Sequence, residues 1–303
     1  MTESTAMSSE YRLNLKKTYR CIKKVNNVIY LTLFILFSIC GCSIPSQPSV
    51  PPASAASDSR PPSKPAETGW TRAQILESED GPIHYSYYIP HDYNPERTYP
   101  LVVAMPGYGE MWFGEDSEGN NLGWNGATVW TELDEDIIVV SAQLTDWQEK
   151  SARQAIELTE YMTRRFAVDN ARVYAVGYSA GGETMSQAVS LRPDLYAAYI
   201  HGASQWDGDY EGLAEERVAV YIFTGENDEY YGSQRAKEAY ENLVTAYRQA
   251  GYADSELTAL LRIEIPDDAY FNDFGITDYH GGASILFDRE DIQDWLLKHK
   301  KST

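Results

Sequence analysis

The residues best suited to do chemistry stand in Val173-Tyr174-Ala175-Val176-Gly177-Tyr178-Ser179-Ala180-Gly181-Gly182, where an apolar run meets Gly-x-Ser-x-Gly and then small residues that can begin a helix. A strand feeding directly into a serine between glycines, with a helix behind it, describes a sharp, strained turn that presents the serine hydroxyl. Gly177 and Gly181 leave room for that turn. The helix N-terminus brings its positive end toward charge developing on an attacked carbonyl oxygen. The chemistry implied is nucleophilic attack by Ser179, and a serine hydroxyl is a weak nucleophile until a base removes its proton.

For such an elbow the partners follow in the order serine, acid, histidine. Two of the five histidines satisfy that order, His280 and His299. His280 stands in Thr277-Asp278-Tyr279-His280-Gly281-Gly282, between the last expected strand and the last expected helix, and is assigned as general base. His299 lies in a lysine-rich tail and reads as solvated. His201 precedes the acid and is left as a pocket-lining candidate, and His84 and His91 read as surface or packing residues. The acid is expected in Thr224-Gly225-Glu226-Asn227-Asp228-Glu229, after an apolar strand. Asp228 is chosen by position, to orient the imidazole and stabilise the imidazolium, with Glu226 and Glu229 as neighbouring alternatives. Two backbone N–H groups should face the oxyanion. One is that of Ala180, and the other that of Tyr108 in Met105-Pro106-Gly107-Tyr108-Gly109, where flanking glycines allow close approach.

These residues need a scaffold, and from Trp70 onward strand-like and helix-like segments alternate. Strands are expected at 70–78 and 83–89, an antiparallel lead-in around Asp80-Gly81-Pro82, then at 100–105, 136–141, 172–176, 197–201, 218–223 and 260–265. Helices are expected at 151–166, 180–191, 232–250 and 284–298. The pattern predicts an α/β fold, a mostly parallel eight-stranded sheet with helices on both faces.

Over residues 70–300 the chain resembles the esterase branch of the α/β-hydrolases, which includes feruloyl esterases, polyhydroxybutyrate depolymerases and relatives of prolyl oligopeptidase catalytic domains. The resemblance is carried by Pro106-Gly107-Tyr108-Gly109, Val168-Asp169-Asn170-Ala171-Arg172-Val173-Tyr174, Gly177-Tyr178-Ser179-Ala180-Gly181-Gly182, Gly225 with Asp228, and His280-Gly281-Gly282. It implies hydrolysis of carboxylic esters without a cofactor. Two departures stand out. Met105-Pro106-Gly107 replaces a His-Gly pair, and the segment between Asp267 and Tyr279 is longer than the usual approach to the histidine.

The front of the chain reads differently. A basic stretch leads into an apolar run at 28–39 and then Ile39-Cys40-Gly41-Cys42, the layout of a lipoprotein signal with Cys42 as the lipidated residue. The run is shorter than the roughly 20 residues that cross a bilayer. The expected organisation is a signal at 1–41, lipidated Cys42 with a Pro/Ser-rich tether to 66, and a catalytic domain at 67–303, displayed on the extracellular face of a bacterial membrane through the lipid alone. All three cysteines, Cys21, Cys40 and Cys42, precede that domain.

The net charge is −20, and taking away the +4 of residues 1–41 leaves −24. Such a field disfavours nucleic acid and anionic head groups. No His/Asp/Glu spacing suggests a metal. Aromatic residues are frequent on the expected loops, and Tyr178, Trp206 and Trp112 are the candidates to stack on a substrate ring. The substrates expected are small-molecule or polysaccharide-linked esters, acyl or aryl esters of carbohydrates. The alternatives are a peptidase of prolyl oligopeptidase type and a non-catalytic binding lipoprotein.

Overall fold

Leu101-Val102-Val103-Ala104 offers no polar face to water, and it forms the middle of strand β3 (Tyr99–Met105), every residue of which is buried. A strand buried on both faces needs cover on both. β4 (Ile138–Gln143), β6 (Ala198–Gly202) and β7 (Ala219–Phe223) are buried in the same way. The computed structural model describes residues 67–301. The signal, Cys42 and the tether expected before residue 67 lie outside them.

With β1 (Gly69–Leu76), β2 (Ile83–Ile89), β5 (Val168–Tyr178) and β8 (Leu261–Glu264), the strands form one eight-stranded sheet in the order β1-β2-β4-β3-β5-β6-β7-β8. The β1–β2 and β2–β4 pairs are antiparallel, and every other pair is parallel. This is the α/β sheet expected from the alternation of segments. At the edge, β1 carries an irregularity between Thr71 and Gln74, with Ala73 at φ +53°, a kink of the kind that blunts an edge strand.

The topology places the site. β4 lies on one side of β3 and β6 on the far side of β5, so the connections leaving the carboxyl ends of β3 and β5 diverge. A crevice opens at such a switch point, and the residues at its two lips are Pro106-Gly107-Tyr108 and Ser179.

Helix α1 (Glu149–Arg165) buries Ser151, Ala152, Ala155, Leu158, Thr159 and Met162, one stripe at helical spacing, and exposes Lys150 and Arg153. Helix α2 (Ala180–Leu191) is built from small residues and is buried over its first seven, Ala180 to Ser186. Helix α3 (Gln234–Gln249) packs through Ala236, Ala239, Leu243, Ala246 and Tyr247.

The single helix expected at 284–298 is two elements, a 3-10 segment Ala283–Asp288 and helix α4 (Glu290–Leu297), with Arg289 extended between them. Side-chain bonds hold the break open. Asp288 accepts from Asn125 at 3.0 Å, and the Arg289 guanidinium pairs with Asp291 at 2.6 Å and with Glu264 of β8. The long segment before His280 is taken up by a helical turn, Asp268–Asp273, whose N-terminus Asp267 caps by accepting the Tyr270 N–H at 3.0 Å. Among the described residues no helix is long and apolar enough to cross a membrane, and no group of three or more His, Cys, Asp or Glu could hold a metal.

Candidate active site

Strand β5 ends at Tyr178, and Ser179 turns the chain into α2 with φ +53° and ψ −125°. A non-glycine residue there is strained, and the surrounding bonds overdetermine it. The Ser179 N–H donates to Gly202 O at 3.0 Å. Its carbonyl accepts from Gly182 N at 2.8 Å, Glu183 N at 3.1 Å and Ser204 Oγ at 2.7 Å. The glycines are demanded by contact. A Cβ on Gly177 would lie 2.7 Å from Gly181 O, and one on Gly181 only 2.1 Å from Met105 O.

Ser179 Oγ lies 2.9 Å from His280 Nε2, and His280 Nδ1 lies 2.8 Å from Asp228 Oδ2. An ionised carboxylate only accepts, so Nδ1 carries the proton and Nε2 offers its lone pair to the serine hydroxyl. Asp228 is buried. Burial alone would raise its pKa, but the His280 ring and the Tyr230 and Tyr231 amides, at 2.9 and 2.8 Å from Oδ1, outweigh it and hold the carboxyl below its ordinary value.

The neighbouring acids separate by direction. Asp228 meets the imidazole, whereas Glu229 accepts the backbone N–H groups of Tyr279 and His280 at 3.0 and 2.8 Å and so anchors the turn that carries the histidine. Glu226 is exposed, and its backbone N–H bonds to Pro266 O.

The rings expected to meet substrate have other neighbours. Tyr178 is buried, stacks on His280 at 5.8 Å and donates its hydroxyl to the His280 carbonyl, so it supports the base. Trp112 lies flat on His84 of β2, with centroids 3.6 Å apart. Trp206 packs on Tyr199, His201 and Tyr210 and donates to Gly208 O. The exposed rings near the site are Tyr230, 4.9 Å from the His280 ring, and Tyr108, which groups with Phe113 and Trp147.

Two histidines differ from expectation. His201 is a core residue. It is fully buried, bonded to Tyr199 and the Ser204 carbonyl, and burial depresses its pKa to about 4. His299 is not a solvated tail residue. It packs edge-on to Trp295 at 4.5 Å, and burial likewise lowers its pKa to about 4.

The loop after β3 reaches over the nucleophile. A Cβ on Gly107 would sit 3.5 Å from Ser179 Cβ and 3.7 Å from Glu110 Oε2. Ala180 is the first residue of α2 and Tyr108 the first of a 3-10 turn, positions whose amides have no acceptor within the helix. Sequence reading passed over Glu110, Glu183, Ser204 and Trp147. Their roles depend on residues far along the chain, and no local motif marks them.

Glu110 carries a pH signature. Burial pushes its pKa up to about 7, only partly offset by its own backbone N–H. A carboxyl raised on folding contributes stability below its ordinary value that is lost as pH rises through about 7. Glu110→Gln removes that ionisation, so its stability relative to the parent should improve between pH 4 and pH 8 by about 1–3 kcal/mol. Thermal unfolding at both pH values measures this, and an equal difference at the two would contradict it.

Eight strands in this order, with a strained serine elbow at the end of β5 and a histidine–aspartate pair beyond it, define a known architecture. The chain has the α/β-hydrolase fold. Residues 141–258 match the model of the prolyl oligopeptidase family, a span that holds Ser179 and Asp228 but not His280. Among solved structures it is similar to a thermostable esterase, with 22% identity, 75% of this chain and 62% of that chain covered, and a TM-score of 0.64. It thus spans less than two thirds of that esterase. It is also similar to a serine-to-alanine variant of the feruloyl esterase module of Clostridium thermocellum, complexed with sinapinate, with 17% identity, coverage of 77% and 90%, and TM-score 0.51. A Bacteroides ovatus protein designated a dipeptidyl aminopeptidase IV shares 14% identity, with coverage of 76% and 36% and TM-score 0.53. Comparison with curated protein sequences gave no match. The Ser179–His280–Asp228 geometry is that which nucleophilic attack by a serine requires.

Proposed function

We propose that this α/β-hydrolase is a serine esterase that cleaves carboxylic esters through an acyl-enzyme on Ser179, with acyl or aryl esters of carbohydrates as substrates. The observation that carries the reading is the continuous chain from Ser179 Oγ through His280 to Asp228, at 2.9 and 2.8 Å, on a strained elbow.

In this mechanism Ser179 Oγ attacks the ester carbon while its proton passes to His280 Nε2. The carbonyl oxygen takes up the electron pair and is held by the N–H groups of Ala180 and Tyr108. Asp228 stabilises the imidazolium. Collapse of the intermediate breaks the bond to the alcohol, which leaves with the proton from Nε2. Water then attacks the acyl-enzyme, giving a proton to His280, and the acid is released as Ser179 recovers its own. The reaction needs no cofactor.

A second reading, peptide hydrolysis, is favoured by the match to the prolyl oligopeptidase family. Purified protein tested on p-nitrophenyl acetate, methyl ferulate, acetylated xylan and a prolyl p-nitroanilide separates the two. Ester cleavage with preference for methyl ferulate or acetylated xylan is expected. Cleavage of the anilide alone would replace the esterase reading with the peptidase one, and no cleavage of any substrate would sink both.

A further inference from the structure

Among the described residues four aromatic side chains stand exposed, from 38% for Trp147 to 81% for Tyr230, with Phe113 and Tyr108 between. Their places are not scattered. Tyr108 and Phe113 lie on the loop that leaves the carboxyl end of β3, Trp147 on the loop that leaves β4, and Tyr230 on the loop that leaves β7. These strands run parallel to β5, so all four rings stand at the end of the sheet where β5 presents Ser179. Burial of an aromatic ring is strongly favourable. Rings left in water at one end of the sheet, the end where ligands of open α/β sheets bind, mark a surface kept for a ligand.

The rings form two groups. Tyr108 meets Phe113 at 5.0 Å and Trp147 at 5.8 Å between centroids, and all three remain exposed. The loops beneath them are tied to each other and to the nucleophile helix. The Trp112 N–H donates to Leu144 O at 3.1 Å, and Gln187 of α2 donates to the Trp147 carbonyl at 3.1 Å. Tyr108 follows Gly107, where a Cβ would lie 3.5 Å from Ser179 Cβ, so this group begins one residue from contact with the nucleophile. Tyr230 belongs to the base, with its ring centroid 4.9 Å from that of His280 and its backbone N–H held by Asp228 at 2.9 Å. Charge limits what the first group can meet. From Pro106 to Glu149 there is no Lys or Arg, and Glu110, Glu115, Asp116, Glu118 and Asp146 share its two loops. An anionic ring is repelled there.

We propose that these rings divide the crevice into two subsites for uncharged rings, with Tyr108, Phe113 and Trp147 receiving one on the acyl side of the ester and Tyr230 one on the alcohol side. The inference rests on the reading of Ser179 as the nucleophile of an esterase. Proton transfer decides which side is which. The departing alcohol takes its proton from His280 Nε2 and must lie against the imidazole, where the exposed ring is that of Tyr230. The carbonyl oxygen turns to the oxyanion amides. The acyl chain is the substituent that remains, and the loop after β3 is the surface that remains to receive it. All four are specificity-determining residues, and their side chains take no part in proton transfer or bond making.

Two pairs of esters test the division. Only the acyl side gains a ring between p-nitrophenyl acetate and p-nitrophenyl 3-phenylpropanoate, and only the alcohol side between methyl acetate and benzyl acetate. The readout is the ratio of kcat/KM within each pair, measured on one preparation so that any unfolded fraction cancels. In the parent both ratios should favour the ringed ester. Phe113→Ala and Trp147→Ala should each lower the acyl ratio by about 10-fold, and move the alcohol ratio by less than about twofold, on the scale of one aromatic contact. Tyr230→Ala should do the reverse. Trp147→Phe keeps a ring and should restore most of the acyl ratio. A parent that hydrolyses the acetates without preferring either ringed ester would overturn the subsites and leave the esterase reading standing. Unchanged ratios in the three alanine variants, equal falls in both ratios, or a fall in the opposite ratio would overturn the division too. A parent that hydrolyses none of the four esters would instead overturn the esterase reading itself.

Discussion

Ser179→Ala is expected to remove hydrolysis almost entirely, with kcat lowered by on the order of 10⁴- to 10⁶-fold and fluorophosphonate labelling abolished. The reason is geometric. Among the described residues the only hydroxyl bonded to His280 Nε2 is that of Ser179, and His280 has its other nitrogen committed to Asp228. With the hydroxyl gone, the base has only water left to deprotonate. The amides of Ala180 and Tyr108, proposed above as the oxyanion donors, would still polarise a bound carbonyl, which is why a residue of catalysis is expected over water alone. Folding should survive, since Ala also lacks bulk at the turn, and Tm should stay close to that of the parent. Hydrolysis at more than a few per cent of the parental rate by a pure Ser179→Ala preparation would mean that the reaction does not pass through this serine.

Gly181→Ala is the second large effect, and it acts on stability and activity together. Its added methyl would lie 2.1 Å from Met105 O, 2.4 Å from Pro106 O and 2.5 Å from Met105 C, all backbone atoms that no rotamer change can move. Either α2 backs away from the end of β3 or the loop after β3 lifts off the nucleophile. Overpacking commonly costs about 1–3 kcal/mol, and a clash with backbone belongs at or above the top of that range. For a domain of this size about 3 kcal/mol corresponds to a fall in Tm of roughly 6–12 °C. The displaced loop carries Tyr108, so kcat should drop even in the fraction that remains folded. Gly123→Ala is the matched control, because a methyl there meets nothing within 4 Å. Calorimetry on the two variants tests the idea, and a Gly181→Ala protein that melts with Gly123→Ala would show that α2 and β3 are not packed this closely.

Much of the scaffold was legible because it is written in short-range patterns. The run at 100–105 reads as a buried strand from its own side chains, and helix α2 lies where it was expected, at 180–191, because it begins at the elbow motif and ends before Pro193. Less was legible where side chains from elsewhere intervene. The expected helix at 284–298 has helical composition throughout, and it breaks because Asn125 and Glu264 draw on Asp288 and Arg289. His299 sits among lysines, and in isolation that reads as solvated, whereas in the fold Trp295 packs against its ring. Trp112 and Trp206 reside on loops as expected, but their faces are taken by His84 and by Tyr199, His201 and Tyr210.

The sequence by itself determined the order of strands and helices, the elbow with Ser179 at its apex, and the loops from which an acid and a histidine would come. Those features follow from local periodicity, from glycines that permit a tight turn, and from the order of residue types along the chain. Only the tertiary structure decided which acid meets the imidazole, with Asp228 turned toward His280 Nδ1 and Glu229 toward the backbone that carries it. It alone joined Tyr231 to Glu183 across 48 residues and Ser179 to His280 across 101. The physical reason is that direction and distance between such groups are set by sheet order and packing, which sum over contacts far apart in the chain and leave no mark within any one segment.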